Sequence, residues 1–114
     1  MDLEHIIKML NLTVLTDARD FADITPQGGY TSDLLSCVMA GAKQKNLWIT
    51  LQAHNNIVAV AALLDLSAVI ITEGATPEPE TIERANQEGI ILLSTPDPTY
   101  QVIGRLWDLG IRPN

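Results

Sequence analysis

Basic residues, aromatic residues and cysteines are all scarce in this chain of 114 residues. Seven Lys and Arg residues stand against fourteen Asp and Glu residues, which gives a net charge of −7 at pH 7. Phosphate backbones and anionic membrane surfaces repel such a protein, so we expect neither nucleic acid nor a membrane as a partner. Aromatic residues make up 4% of the chain and apolar residues 46%. The core should therefore be aliphatic and rich in alanine.

Cysteine chemistry is nearly absent as well, since Cys37 is the only thiol. One cysteine excludes an internal disulfide and a cysteine-based zinc site. His5 and His54 do not have the spacing of metal ligands, so we expect no metal and no cofactor. No apolar run approaches the roughly twenty residues of a membrane span, and the start at Met1 lacks the positive segment of a signal peptide. We expect a cytoplasmic protein.

The clearest structural signal is the stretch from Leu47 to Gly74. Residues 47–52 and 68–72 are apolar and β-branched, which is typical of buried strands. Residues 57–64 between them are apolar throughout and rich in alanine. Periodicity alone would allow a third strand there, but about fifteen residues separate the two strands, the length that a crossover helix needs. The pattern predicts a β-α-β unit whose helix is buried on most sides.

Two helices and two strands are predicted before this unit. Asp2 can cap a first helix with an apolar stripe, and residues 12–16 form a short strand. Residues 21–25 are interpreted as a second strand, antiparallel to the first. Ser32 or Asp33 then caps a helix whose buried face comprises Leu34, Leu35, Val38, Met39 and Ala42.

Two helices and one strand are predicted after it. The stretch Thr76-Pro77-Glu78-Pro79-Glu80 opens a helix that ends at Gly89, residues 90–94 form a buried strand, and Asp97-Pro98 starts the last helix. The order from residue 47 onward is β-α-β-α-β-α. It predicts one domain spanning residues 1–114, a three-layer α/β/α sandwich with a mostly parallel sheet built from consecutive βα units.

Polar residues are concentrated where the predicted parallel strands end, which is where open α/β sheets bind ligands. Amides, hydroxyls and one imidazole suit a neutral polar ligand or a base edge better than a polyphosphate. The alternative is structural: the residues at 54–56 cap the helix, and Thr95-Pro96 turns the chain. The candidate ligand residues are His54, Asn55, Asn56, Thr72, Glu73, Gly74, Ser94 and Thr95.

A glycine pair precedes the helix that Ser32 or Asp33 is expected to cap. Gly28 and Gly29, with Ser32 and Asp33, could form a phosphate-cradling loop. The Lys-Ser/Thr of a complete phosphate loop is missing, and a structural turn is the favoured interpretation. No catalytic motif appears elsewhere, since G-x-S-x-G is absent and the acids near Glu80 form a solvated helix face.

Several stretches together resemble the DRTGG domain family. They are Gly28 to Ala40, Leu47 to Thr50, Asn56 to Ala61, Ile70 to Gly74 and Leu93 to Thr95. The resemblance implies an α/β fold akin to the N-terminal domain of HPr kinase. It also implies a regulatory or dimerising module, found as an accessory domain in phosphotransacetylases and beside CBS domains in regulated pyrophosphatases. In anaerobes, free-standing members accompany iron-hydrogenase genes.

The two motifs of the family are altered here. The Asp-Arg-Thr position reads His54-Asn55-Asn56, and Thr-Gly-Gly reads Thr72-Glu73-Gly74. The arginine that could bind a phosphate with two hydrogen bonds is lost, and Glu73 adds a negative charge.

We therefore expect a non-catalytic regulatory or protein-interaction module that binds a small polar ligand at the strand ends. A stand-alone adenine-nucleotide sensor is the alternative, and a cryptic enzyme is the third. The family's habit of pairing predicts a homodimer, with Tyr30, Trp48 and Trp107 as interface residues because aromatic side chains are enriched in interface cores. A partner protein, in anaerobes one related to iron hydrogenase, is also expected.

Overall fold

A computed structural model describes the whole chain, residues 1–114, as five strands and five helices. A single turn of 3-10 helix, Phe21–Asp23, lies between the first two strands. The helices are α1 (Leu3–Leu10), α2 (Leu35–Gly41), α3 (Asn56–Leu63), α4 (Pro79–Glu88) and α5 (Thr99–Asp108). The strands are β1 (Thr13–Val14), β2 (Gly28–Thr31), β3 (Asn46–Thr50), β4 (Ala68–Ile71) and β5 (Leu92–Ser94).

The strands form one sheet in the order β1-β5-β4-β3-β2. Strands β2 to β5 are parallel, with Leu47 opposite both Gly29 and Ala68, and β1 pairs antiparallel with β5. The predicted strands at 47–52, 68–72 and 90–94 are confirmed as mutually parallel neighbours. Their observed bounds differ from the prediction by no more than two residues.

The direction of the crossovers decides how many helices cover each face. Strands β2 to β5 follow one another across the sheet in one direction, so crossovers of one hand place α2, α3 and α4 on the same face. These helices pack there on Trp48, Val69, Ile71 and Leu92. The opposite face is left to α1 and α5, which pack on Leu47, Ile49, Ile70 and Leu93. The predicted three-layer α/β/α sandwich is confirmed.

Two predictions before β3 are wrong. Residues 21–25 do not form a strand, because the Asp20 carboxylate accepts from the Ala22 backbone N–H at 3.1 Å and caps a 3-10 turn instead. Gly28 and Gly29 do not form a turn or a loop before a helix, because both lie in β2 and pair with Asn46 and Leu47 of β3.

The predicted cap of α2 is also wrong, and its predicted buried face is only partly right, because Val38, Leu35 and Ala42 pack on the core but Leu34 and Met39 do not. No side chain caps the helix at Leu34, because the Asp33 carboxylate bonds instead to the end of β3. Only Val38 is fully buried, whereas Leu34 and Met39 are 66% and 42% exposed. Helix α2 thus contacts the sheet through a narrow edge.

Helix α3 is confirmed in position but is less covered than predicted. Its buried residues are Ile57, Val58, Val60 and Ala61. Ala59, Ala62 and Leu63 face solvent, and Leu63 is 70% exposed. The helix is apolar on all sides, so its sequence carries no periodic signal for which side meets the sheet.

Candidate functional site

Strands β2 to β5 end along one edge of the sheet, here called the rim. It consists of residues 32–33, 51–56 and 72–76, which follow β2, β3 and β4, and residues 94–99, which begin at the last residue of β5. The predicted ligand residues all lie in these segments. Whether they bind a ligand depends on how much hydrogen-bonding capacity the fold leaves them.

Glu73 ties the end of β4 to the beginning of α5. Its Oε2 accepts a hydrogen bond from the Thr99 backbone N–H at 2.7 Å, and its own N–H donates to the Asp97 carbonyl at 2.9 Å. A carboxylate is favourable at a helix N-terminus, where unpaired N–H groups and the helix dipole attract negative charge. The chain therefore supplies its own anion at the helix end where an external anion would otherwise bind.

The Glu73 backbone is left-handed, with φ of 60°, and Gly74 follows with φ of 73°. Glycine adopts this conformation without the steric cost that a side chain brings. The glycine of the family motif suits this position, and Glu73 occupies it at the expense of backbone strain. Its bond to Thr99 offsets part of that cost.

The side chains of Thr72 and Asn55 are satisfied within the fold. The Thr72 hydroxyl is buried and lies 2.5 Å from the hydroxyl of Thr99. The Asn55 side-chain oxygen accepts a hydrogen bond from the buried Thr81 hydroxyl of α4. Both side chains therefore link consecutive βα units.

The remaining predicted residues have local roles or are free. Thr95 accepts from the Asp97 N–H at 3.1 Å and turns the chain, as the structural alternative predicted. His54 is exposed, and its Nδ1 accepts from the Asn56 N–H at 3.3 Å at the beginning of α3. Asn56 is also exposed, and Ser94 is half-buried in β5. His54 and Asn56 keep the most capacity for a ligand.

Asp33 organises the ends of β2 and β3. One carboxylate oxygen accepts from the Thr50 hydroxyl at 2.7 Å and from the Leu51 N–H at 2.9 Å, and Gln52 donates to the Asp33 carbonyl at 3.1 Å. Ser32 makes a local turn, accepting from the Leu34 N–H at 3.1 Å.

Three threonines that bond to rim residues were missed by sequence reasoning: Thr50, Thr81 and Thr99. Threonine at the end of a buried strand or in the first turn of a helix is a usable signal, because its hydroxyl can satisfy backbone groups there. The partner of each threonine is distant in sequence and has no such signal.

The rim is acidic. Asp33, Glu73 and Asp97 lie in it, and the cation paired with Asp97 is Arg105 of α5, at 4.0 Å. Arg105 also donates to the Met9 carbonyl. No group of three His, Cys, Asp or Glu residues could hold a metal ion. A polyphosphate would meet carboxylates without a free cation to offset them.

A cavity lies elsewhere, on the face that α1 and α5 cover. It has a volume of about 300 Å³, and six of its ten lining residues are apolar. Its floor is β2 and β3, one wall is α5, and the other wall is the tail, residues 111–114. It is here called the tail groove.

Of the three aromatic residues expected at a homodimer interface, not all are accessible at the surface. Trp48 is fully buried, and its indole N–H donates to the Ser32 carbonyl at 2.9 Å, so its assignment to an interface is wrong. Tyr30 is half-buried against Cys37. Trp107 is 47% exposed at the tail groove and remains accessible.

The chain is a small α/β module. Its sheet is mostly parallel, its strand ends are hydrogen-bonded to neighbouring helices, and the rim where the strands end is acidic. Within the class of small α/β modules the chain belongs to the DRTGG domain family, whose model matches residues 32–109. The resemblance predicted from the sequence is thus confirmed. The match begins after β2 and ends after α5.

A solved structure supports the same fold. It contains the CBS and DRTGG domains of the regulatory region of Clostridium perfringens pyrophosphatase, complexed with the activator diadenosine tetraphosphate. The two chains are 19% identical and superpose with a TM-score of 0.74 over 92% of this chain. This chain spans 45% of that one.

Among curated proteins, none matches this chain. None of its helices has both the length and the apolar character needed to cross a membrane.

Proposed function

We propose that this chain is a non-catalytic regulatory module that acts by binding a small neutral ligand or a partner protein. Membership in the DRTGG family supports this, as does the fold shared with a regulatory region of a pyrophosphatase. The observation that carries the proposal is the rim, where side chains couple consecutive βα units through hydrogen bonds. A ligand that binds at the rim would alter these bonds, and it would therefore change the stability of several elements together.

The rim ligand is a neutral polar molecule or a base edge, recognised by His54 and Asn56 beside the coupled residues. Both side chains are exposed at the beginning of α3. The Asn56 amide can donate and accept, and His54, whose Nδ1 already accepts from the Asn56 N–H, can donate from Nε2. The acidic groups of the rim oppose a triphosphate. Adenosine should therefore bind better than AMP, and AMP better than ATP.

The second candidate is an adenine-nucleotide sensor. It is favoured by one observation, that the solved DRTGG-containing structure was obtained with an adenine dinucleotide activator. That structure also contains CBS domains, and this chain corresponds to less than half of it.

Calorimetry with adenosine, AMP and ATP distinguishes the two candidates. In the parent, we expect ATP to bind with a Kd above about 1 mM, more weakly than adenosine. Glu73→Gly removes the carboxylate from the beginning of α5 and restores the glycine of the family motif, so ATP binding should strengthen.

Glu78→Gly is the matched control, because it removes an equal charge at an exposed cap whose side chain makes no capping bond. It should leave all three affinities unchanged. Tight ATP binding by the parent, undiminished by a chelator, would contradict the neutral-ligand proposal and support the sensor.

A homodimer, or a complex with another protein, is the second part of the proposal. In an anaerobe, a protein related to iron hydrogenase is the partner that the family context suggests. Trp107 and the exposed apolar residues of α2 offer contact surface. The single exposed thiol suits a reducing compartment, so we propose a cytoplasmic location.

A further inference from the structure

The tail groove exists because the sheet is covered unevenly. Three crossover helices cover one face, but only α1 and α5 cover the other. Strand β2, at the edge, presents only Gly29 and Thr31 to that second face, beside Leu47 and Ile49 of β3. Because these β2 residues are small and no third helix covers this face, a recess is left over this end of the sheet.

The walls of the groove are apolar and well anchored. Ile103, Leu106 and Trp107 of α5 form one wall, and Ile111 of the tail closes the other. The end of the tail is fixed by Asn114, whose side chain accepts from Asn46 at 2.9 Å and whose carbonyl accepts from Lys43 at 2.5 Å. The groove is therefore preformed, and its volume of about 300 Å³ is at the lower end of small-molecule sites.

One cation, Arg112, lies in this mostly apolar lining. Arg112 lines the groove with its guanidinium carbon 5.3 Å from the centre of the Trp107 ring. Its Nε donates to the Trp107 carbonyl at 3.3 Å, which fixes the plane of the group. Its two terminal amino groups have no hydrogen-bond or ion-pair partner in the chain.

A guanidinium held by stacking, with its paired N–H groups free, matches the geometry of a carboxylate. We propose that the tail groove binds a small organic monocarboxylate with an apolar body of one or two rings. The body lies over Gly29 and Ile49, and the carboxylate pairs with Arg112. None of these residues belongs to the predicted rim set of 54–56, 72–74 and 94–95, so this site is distinct from the proposed rim site.

Indoleacetate and indoleacetamide form a matched pair of probes, because they share the indole body and differ only in the head group, a charged carboxylate in one and a neutral amide in the other. Titration is followed by NMR at the backbone amides of Gly29 and Thr31 and at the indole N–H of Trp107. We expect the acid to bind roughly tenfold or more tightly than the amide, because a hydrogen bond to a charged group is stronger than a neutral one. Added salt should reduce this preference.

Two variants separate the charge from the cavity. Arg112→Gln should lower the affinity for the acid to that for the amide. Gly29→Val places a side chain beside Ile111 and Ile49 in the groove, and valine suits a strand, so the variant should fold but bind neither probe. Arg84→Gln on α4 removes an equal charge on the other face and should change nothing.

Equal affinity for acid and amide, or an Arg112→Gln variant that still prefers the acid, would overturn the proposal. So would a parent that binds neither probe at millimolar concentration. Shifts of the Gly29 and Thr31 amides with protein concentration alone would show that a second copy, not a small acid, occupies the groove.

Discussion

The thiol of Cys37 and the phenol of Tyr30 lie 3.3 Å apart, and each changes the acidity of the other. The hydrogen bond from Tyr30 lowers the pKa of Cys37 below its ordinary value, and Ser32 adds a smaller contribution in the same direction. The pKa of Tyr30 is raised, chiefly by the same bond. The thiolate is therefore populated at a lower pH than in an isolated cysteine.

Tyr30→Phe should move the alkylation of Cys37 to higher pH. The variant keeps the ring but removes the donor that stabilises the thiolate, so the midpoint of the rate against pH for iodoacetamide should rise. Mass spectrometry of the alkylated chain measures the rate at each pH.

Tyr100→Phe is the control for this measurement, because Tyr100 is 92% exposed and has no bond to the thiol. Its profile should match that of the parent. An unchanged profile for Tyr30→Phe would show that the phenol does not support the thiolate.

At the scale of the element, replacing the helical glycines Gly41 and Gly104 with alanine should have opposite effects on the free energy of unfolding. A Cβ at Gly41 would overlap the Tyr30 hydroxyl, whereas nothing lies within 4 Å of a Cβ at Gly104. Overpacking costs about 1–3 kcal/mol, and glycine in a helix interior is less favourable than alanine by about 0.5–1 kcal/mol. Gly41→Ala should therefore lower the free energy of unfolding, and Gly104→Ala should raise it.

Urea denaturation of the two variants and the parent tests this pair. Since both substitutions add one methyl group to a helix, each serves as the control for the other. Stabilisation by both would mean that Tyr30 does not pack against α2 as described.

The sequence predicts elements well where local pattern and tertiary role agree. Strands β3 and β4 are continuous apolar runs because both of their faces are covered, and the spacing between them requires a crossover helix. Prediction from the sequence fails where contacts between residues that are distant along the chain determine the local structure. Gly28 reads as a turn residue, but a Cβ there would approach the Arg112 carbonyl to 2.8 Å, so the tail requires glycine inside a strand.

The rim could be located but not described from the sequence. Topology places residues 54–56, 72–74 and 94–95 at strand ends, and periodicity is enough to predict that. Whether Glu73 faces a ligand or caps α5 depends on the distance between its carboxylate and the Thr99 N–H. The tail groove has no sequence pattern, because it results from a face left without a helix.

At the scale of the molecule, self-association is the open prediction. Light scattering over a dilution series should give a mass near twice 12.4 kDa at micromolar concentration. Trp107→Ala removes accessible aromatic area and should weaken association, whereas Tyr100→Ala, on the same helix but at its beginning, is the comparison. A mass of one chain at every dilution would exclude the homodimer.

The pairing of β1 with β5 has a consequence for the order of folding. Thr13 lies opposite Ser94, so this antiparallel contact joins the two ends of the chain, while every parallel pair joins strands that are consecutive in sequence. Closing so long a loop costs conformational entropy, and the pairing of a two-residue strand contributes little stabilisation to offset that cost. The two-residue β1 should therefore pair last, after β3, β4 and β5 have formed, and its pairing should be the first in the sheet to open as stability falls, whereas Leu3, Ile6 and Leu10 hold α1 in the core.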